Sequence, residues 1–211
     1  MTKTAIIFEA HSDDLSVGIG GTIIKMAKEN YNLIDIVFSR GEMSHPHFKE
    51  EIIIKKRIRE SEGIGKQFGI AQTIFFGLKD NKLKEEIISK NVHERIRRLI
   101  KKYKPIKIFI TSESDMHPDH RAVNQAVIDV VDDLNYKGEL YSYEVWNIFK
   151  ENKPAIYNDI SDYFKAKIAM LKSFKSQWYF MHLLLIPVYI RARLYGARNK
   201  CRYAEKLYKL R

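Results

Sequence analysis

The chain has 211 residues, 45% of them hydrophobic and 30% charged; these proportions suit a soluble globular protein that buries its own core and exclude a disordered or fibrous one. A lone cysteine, Cys201, excludes an internal disulfide and gives no reason to expect an oxidising compartment. The net charge of +11, concentrated in residues 55–59, 95–107 and 191–211, either attracts anions (nucleic acid, acidic lipid, phosphorylated substrates) or describes a lysine-rich surface.

The chain opens on MTKTAIIFEAHSDD, whose apolar run is too short for a signal peptide and is followed at once by charge. Residues 5–8, AIIF, read as a buried strand. Residues 20–29 begin with two glycines and continue with helix formers, and 34–38, IDIVF, form a second strand. Over 49–68, Ile53, Ile54, Ile58, Ile64 and Phe68 recur at helical spacing, with Gly69 as a stop. A short strand at 73–76 precedes one long helix at 85–103, with Ile87, Ile88, Val92, Ile96, Leu99 and Ile100 on one face and Pro105 past its end. Residues 106–111 form a strand, 119–134 a helix and 140–146 a strand. Alternating strands and helices predict an α/β fold, a Rossmann-like three-layer α/β/α sandwich with a mainly parallel sheet. Residues 1–211 read as one domain. Its α/β core covers about 1–135, and about 136–211 completes the site and offers a dimer or membrane-facing surface.

In such sheets ligands bind beyond the carboxyl ends of the strands. After the first strand stands Glu9-Ala10-His11-Ser12-Asp13-Asp14, and after the 106–111 strand stands Ser112-Glu113-Ser114-Asp115-Met116-His117-Pro118-Asp119-His120. Catalytic zinc takes three ligands from imidazole, carboxylate or thiolate groups and leaves a position for water. His11 and Asp14, three apart across a turn, can reach one ion, and either His117 or His120 can supply the third ligand. Asp13 is then a free carboxylate able to act as general base. A second histidine that does not ligate can stabilise an oxyanion or protonate a leaving amine. Each cluster alone has a plainer explanation. His-x-x-His is common on surfaces, and Asp-Asp after a strand and Pro118-Asp119 both fit helix N-termini. Their coincidence at two strand ends favours the metal site.

At these residues the sequence resembles the LmbE/PIG-L family of zinc-dependent N-acetylglucosaminyl deacetylases. The family's A-H-P-D-D-E and H-P-D-H motifs correspond to Ala10-His11-Ser12-Asp13-Asp14-Leu15 and His117-Pro118-Asp119-His120. Gly18-Ile19-Gly20-Gly21-Thr22 matches its glycine-rich start of a helix. Weaker echoes are Gly41-Glu42, Arg57-x-x-Glu60, Gly77-Leu78-Lys79-Asp80, Tyr141-Ser142-Tyr143-Glu144-Val145-Trp146, Asp159-Ile160-Ser161, Ser176-Gln177 and Tyr203-Ala204-Glu205. The resemblance implies hydrolysis of an N-acetyl group on an N-acetylglucosamine-type sugar conjugate. It also implies zinc, or iron(II), held by His11, Asp14 and His120. Asp13 would be the base, His117 would lie on the oxyanion side, and Asp119 would orient an imidazole. Glu42, Arg57 and Asp80 occupy sugar-contacting positions. Tyr143, in competition with Tyr141, would approach the acyl group. Ser12 stands where proline is usual, which loosens the turn before the base, and Leu15 stands where glutamate is usual. Both departures leave the ligands and base in place.

Other features are secondary. Gly18-x-Gly20-Gly21 lacks the G-x-G-x-x-G spacing of a dinucleotide site, and no G-x-S-x-G elbow marks a serine hydrolase. Ser44-His45-Pro46-His47 is either a substrate-edge loop or an exposed surface loop. Residues 178–190, WYFMHLLLIPVYI, followed by Arg191, Arg193 and Arg198, read as a core or dimer helix, or as an interfacial anchor whose arginines meet anionic headgroups. A phosphoesterase is the alternative metal hydrolase, but two-metal sites want more ligands than these clusters offer. A non-enzymatic basic binding protein is the other alternative. No interleaved aromatic and basic platform for nucleic acid is present. The expectation is therefore a cytoplasmic protein, with a membrane-peripheral address and a homo-oligomer both open. Its partner is an N-acetylated sugar conjugate, phosphorylated or lipid-linked forms included.

Overall fold

The computed structural model describes residues 3–42, 49–147 and 153–211, with backbone only for 178–182. Its elements in chain order are β1 (Thr4–Glu9), α1 (Asp14–Lys28), β2 (Asn32–Ser39), α2 (Glu50–Phe68), β3 (Gln72–Leu78), α3 (Leu83–Ser89), α4 (Val92–Tyr103), β4 (Lys107–Thr111), α5 (Pro118–Asp133), β5 (Glu139–Tyr143), β6 (Ala155–Asp159), α6 (Phe164–Ser173), α7 (Trp178–Arg198) and β7 (Ala204–Lys209). A 3-10 turn, Lys175–Gln177, leads into α7.

The strands form one sheet in the order β3-β2-β1-β4-β5-β7-β6. β1 to β5 run parallel to one another, whereas β7 is antiparallel to both β5 and β6. Side chains alternate across this sheet. Ile6, Phe8, Ile34, Ile36, Ile108 and Ile110 face one core, packed by α3, α4 and α5 through Leu83, Ile96 and Val127. Ala5, Ile7, Leu33, Phe109, Tyr141 and Leu207 face the other, packed by α1, α6 and α7 through Ile23, Met170 and Val188. The result is the expected three-layer sandwich. Burial on both faces explains why the central strands read as unbroken apolar runs rather than alternating ones. β1 lies between β2 and β4, where the winding of the sheet reverses. That reversal opens a crevice at the carboxyl ends of β1 and β4.

Three expectations change. The helix expected at 85–103 is two, because Asn91 adopts a left-handed conformation (φ 50°) between α3 and α4. The break turns Ile88 outward, where it is 73% exposed. α1 starts at Asp14, six residues before the expected 20–29 segment, and leaves helical geometry at Ile19 (φ −134°, ψ 19°). The amides freed there, of Gly21 and Thr22, donate to the Glu205 carboxylate at 2.9 and 2.7 Å. A side chain on Gly18 would strike the Tyr143 ring, and one on Gly21 would strike Ile160, so these glycines permit close packing of helix on strand. The strand expected at 140–146 ends at Tyr143.

Candidate metal centre

The turn from β1 into α1 is built by Asp14. Its Oδ2 accepts from the backbone amides of Ala10 and His11, each at 3.0 Å, leaving Oδ1 to face inward. From the other side of the crevice, α5 begins with Pro118 at a position that tolerates a missing N–H, capped by His117, whose Nδ1 accepts from the Asp119 amide at 3.2 Å. One turn in, His120 is completely buried. His120 Nε2 lies 3.2 Å from Asp14 Oδ1 and 3.3 Å from His11 Nδ1, and His11 Nδ1 lies 3.8 Å from Asp14 Oδ1. A tetrahedral ion with bonds of ~2.0–2.1 Å has ligand–ligand edges of about 3.4 Å, and the three separations bracket that value. A second triplet close enough to hold a metal ion is His11, His117 and Asp119. The two sets share His11, whose Nδ1 faces Asp14 and His120 and whose Nε2 faces Asp119.

Behind the donor atoms stand carboxylates. His120 Nδ1 is 3.0 Å from Asp115 Oδ1, and Asp115 is itself held by the amides of His117 and Trp146, each at 2.9 Å. His11 Nε2 is 3.3 Å from Asp80 Oδ1 and 3.7 Å from Asp119 Oδ2. Asp80 accepts from the Ser39 hydroxyl, and Asp119 from the Asn81 amide at 2.7 Å. Each imidazole thus presents one nitrogen to the centre and the other to a carboxylate, at His120 as an ion-pair contact outside hydrogen-bond geometry, and such carboxylates raise ligand basicity.

The electrostatics follow. Burial opposes a charge on His120, but Asp14 and Asp115 outweigh it and push its pKa to about 9. His11 is likewise raised: burial works against the charge, and Asp119, Asp14 and Asp80 override it. Asp14 is held low by His120 and His11 despite burial. Five carboxylates (Asp13, Asp14, Asp80, Asp115, Asp119) crowd around two imidazoles and one guanidinium, a donor set with a deficit of positive charge that a divalent cation would fill.

Asp13 projects beside the centre, partly open to solvent. Arg57, buried on α2, donates to Asp13 Oδ1 at 3.2 Å, to Ser12 Oγ at 3.2 Å and to the Gly41 carbonyl at 3.3 Å. The Gln177 carboxamide, its oxygen turned to the donor-only guanidinium, accepts from the same side chain. The Ser12 hydroxyl thereby ties down the turn that lacks the usual proline. Burial raises the Asp13 pKa more than Arg57 lowers it. His117 is shifted down, by burial and then by nearby His11 and His120.

Of the residues expected at the sugar, Arg57, Asp80 and Glu42 are all buried. Arg57 and Asp80 are occupied by Asp13 and His11. Glu42 accepts the Asp80 amide at 2.9 Å through Oε1, while its buried Oε2 has no hydrogen-bond partner among the described residues. Tyr143 corrects its expectation. It is wholly buried, its ring lies against Gly18, and its hydroxyl donates to the Phe8 carbonyl at 3.2 Å, with a pKa driven well up by burial. It is a core residue, and Tyr141 stacks on Phe109 in the same layer. His45 and His47 lie outside the described residues. Asp115 is the residue that sequence reasoning passed over; its signal was a carboxylate two positions before His117. Asp119, expected to orient an imidazole, stands behind His11 and also holds the loop after β3.

Residues 6–131 match the family model described as PIG-L, GlcNAc-PI de-N-acetylase. The chain is 24% identical over 220 residues to diacetylchitobiose deacetylase from Thermococcus kodakarensis, covering 96% of this chain and 81% of that one. Among solved structures it resembles N,N'-diacetylchitobiose deacetylase from Pyrococcus horikoshii, with a TM-score of 0.85 and 22% identity, over 99% of this chain and 84% of the other. It also resembles GalB, the 4-carboxy-2-hydroxymuconate hydratase from Pseudomonas putida KT2440, with a TM-score of 0.83 and 18% identity, over 100% and 97%. The fold therefore hosts more than one chemistry, and function has to be argued from the site.

Proposed function

The chain belongs to the PIG-L family, and we propose that it is a metal-dependent deacetylase removing the N-acetyl group from an N-acetylglucosamine-type sugar conjugate. The observation that carries this reading is the triplet of His11 Nδ1, Asp14 Oδ1 and His120 Nε2, spaced like three corners of a tetrahedron, with the non-ligating carboxylate of Asp13, held by Arg57, at its edge. The matched family and the diacetylchitobiose deacetylase relative support amide hydrolysis over the hydration of the GalB likeness.

His11, Asp14 and His120 would hold zinc, or iron(II). The ion supplies Lewis acidity at the amide carbonyl and a water whose pKa is lowered towards ~7. Asp13 takes the proton from the attacking water. Its desolvation makes it a stronger base than an exposed aspartate, and Arg57 fixes its orientation. His117 has its Nδ1 lone pair occupied by the Asp119 amide, so its neutral form carries the proton on Nε2. That N–H donates to the oxygen as negative charge develops, and the proton taken up by Asp13 passes on to the leaving amine. Glu42 Oε2 accepts from a sugar hydroxyl. Tyr143 takes no part.

The test is acetate release from a panel of N-acetylglucosaminides, with and without added zinc, in wild type and Asp13→Ala. We expect metal-dependent release that falls roughly 10²–10⁴-fold in the variant, as for loss of a general base, with metal content retained. Release that is indifferent to metal, or unchanged in Asp13→Ala, would overturn the reading.

A further inference from the structure

α7 is apolar on both sides. Leu184, Val188 and Ala192 point into the core. Opposite them Leu183, Ile186, Ile190 and Leu194 are 60, 67, 51 and 58% exposed. Steps of three, four and four place these last residues along one stripe. Among the described residues nothing covers them. Exposed Trp146 stands beside the helix, because the carbonyl of its neighbour Val145 accepts from Arg191 at 3.0 Å.

The charge around this stripe has one sign. From residue 163 to residue 204 there is no aspartate or glutamate but nine lysines and arginines, against a net charge of +11 for the whole chain. Lys167 is buried against Glu205 at 2.5 Å. Arg193, Arg198, Lys200 and Arg202 lie exposed at the C-terminal end of the helix.

We infer that this face docks on the surface of an anionic phospholipid bilayer. Two copies of the chain meeting stripe to stripe would set their cationic rims against one another, with no acid in the segment to relieve the repulsion. Among the described residues no helix is long and apolar enough to cross a membrane, so the helix lies on the bilayer rather than in it. An anionic lipid surface satisfies both features: the stripe and Trp146 enter the headgroup–acyl boundary, and the cations meet the headgroups. The residue capping the start of α7, Gln177, lies against Arg57, and Leu183 lies six residues along from it, about 9 Å by helical rise. Docking therefore brings the mouth of the metal centre close to the lipid, whichever reaction the centre performs.

Sedimentation of the full chain with vesicles tests this without an activity readout. Vesicles of mixed phosphatidylcholine and phosphatidylglycerol should carry the protein down, pure phosphatidylcholine vesicles should not, and high salt should release it. Arg198→Gln/Lys200→Gln should weaken partitioning roughly 30-fold, from about fivefold per basic residue. Ile186→Ser/Ile190→Ser should abolish binding while leaving the sedimentation mass of the free protein unchanged. Failure of the wild type to bind mixed vesicles would overturn the inference. So would a serine variant whose mass falls relative to wild type, because a second copy would then be the occupant.

Discussion

Two buried polar clusters in this molecule differ in charge balance. In the first, Asp13, Asp14, Asp80, Asp115 and Asp119 surround His11 and His120, with Arg57 as the lone guanidinium among the described residues. In the second, Lys167 pairs with Glu205 and Lys206 with Glu144. Every strong acceptor there is used: Glu205 takes the amides of Gly21 and Thr22, and Glu144 takes the hydroxyls of Tyr195 and Tyr208 at 2.6 and 2.8 Å. The second cluster closes on itself and holds the C-terminal part against α1. Among the described residues the first is short of positive charge, and it aims three donor atoms at one point. Buried charge of either kind is costly unless compensated. Internal compensation therefore marks a structural cluster, and its absence marks a place for a cation.

Substitutions should separate the two sharply. The largest effect on stability is expected from Glu205→Gln, which leaves the Lys167 ammonium buried without a counter-charge and turns an amide N–H towards the Gly21 or Thr22 donor. Breaking a buried pair from one side costs about 3–5 kcal/mol, readable as a lower urea midpoint, while metal bound per folded molecule stays the same. A variant that lost metal with no loss of stability would dissolve the distinction. Asp115→Asn tests the other cluster. It keeps the shape behind His120 Nδ1 and removes the charge, so metal affinity should fall roughly 10–100-fold, with the unfolding midpoint of the metal-free protein little changed. A competition titration with a chelating dye measures it. Equal affinity in variant and wild type would remove Asp115 from the support of the centre.

The contrast also explains what could be read from sequence. The donor residues sit in two short segments, each directly after a strand, so the strand-end rule located them without long-range information. Asp115 was in view, but its service to His120 Nδ1 exists only once α5 has folded back over its own preceding loop. Period-two alternation already put Tyr143 on the face of Tyr141, towards the core, and that pattern was the better guide to it than a motif echo. Asn91, a residue that tolerates left-handed backbone, was the available sign that the 85–103 helix breaks. β7 was illegible for a different reason. AEKLYK looks like a surface segment, yet Glu205 and Lys206 are buried because their partners come from distant α6 and the loop after β5. A polar strand whose burial depends on remote counter-charges carries no local signature. β6 is a half-exposed edge strand and shows none either.

A third group lies beneath the first cluster and refines the comparison. Glu9, at the end of β1, and Asp35 on β2 are almost wholly buried. Each has an oxygen, Glu9 Oε1 and Asp35 Oδ1, that finds no donor from another group among the described residues. Glu9 is raised by burial and then by the Asp35 charge, and burial pushes Asp35 up to about 8. These acids meet the cost of burial by keeping a proton rather than by recruiting a cation. The unfolded chain releases that proton near the ordinary carboxylate value of 3.8, so between about pH 4 and 8 the unfolded state binds fewer protons than the folded one. The stabilising contribution is full below this window and fades as pH rises through it, by up to ~1.4 kcal/mol per pH unit. The carboxamide that Asp35→Asn introduces does not titrate and can donate to Glu9. Asp35→Asn should therefore gain stability relative to wild type between pH 5 and pH 8, measured by urea unfolding of both proteins in excess chelator so that metal binding does not contribute. Parallel pH profiles would mean that the pair holds no proton. Glu9 and Asp35 would then add to the negative charge beneath His11 and Asp14 and sharpen, rather than soften, the demand for a cation there.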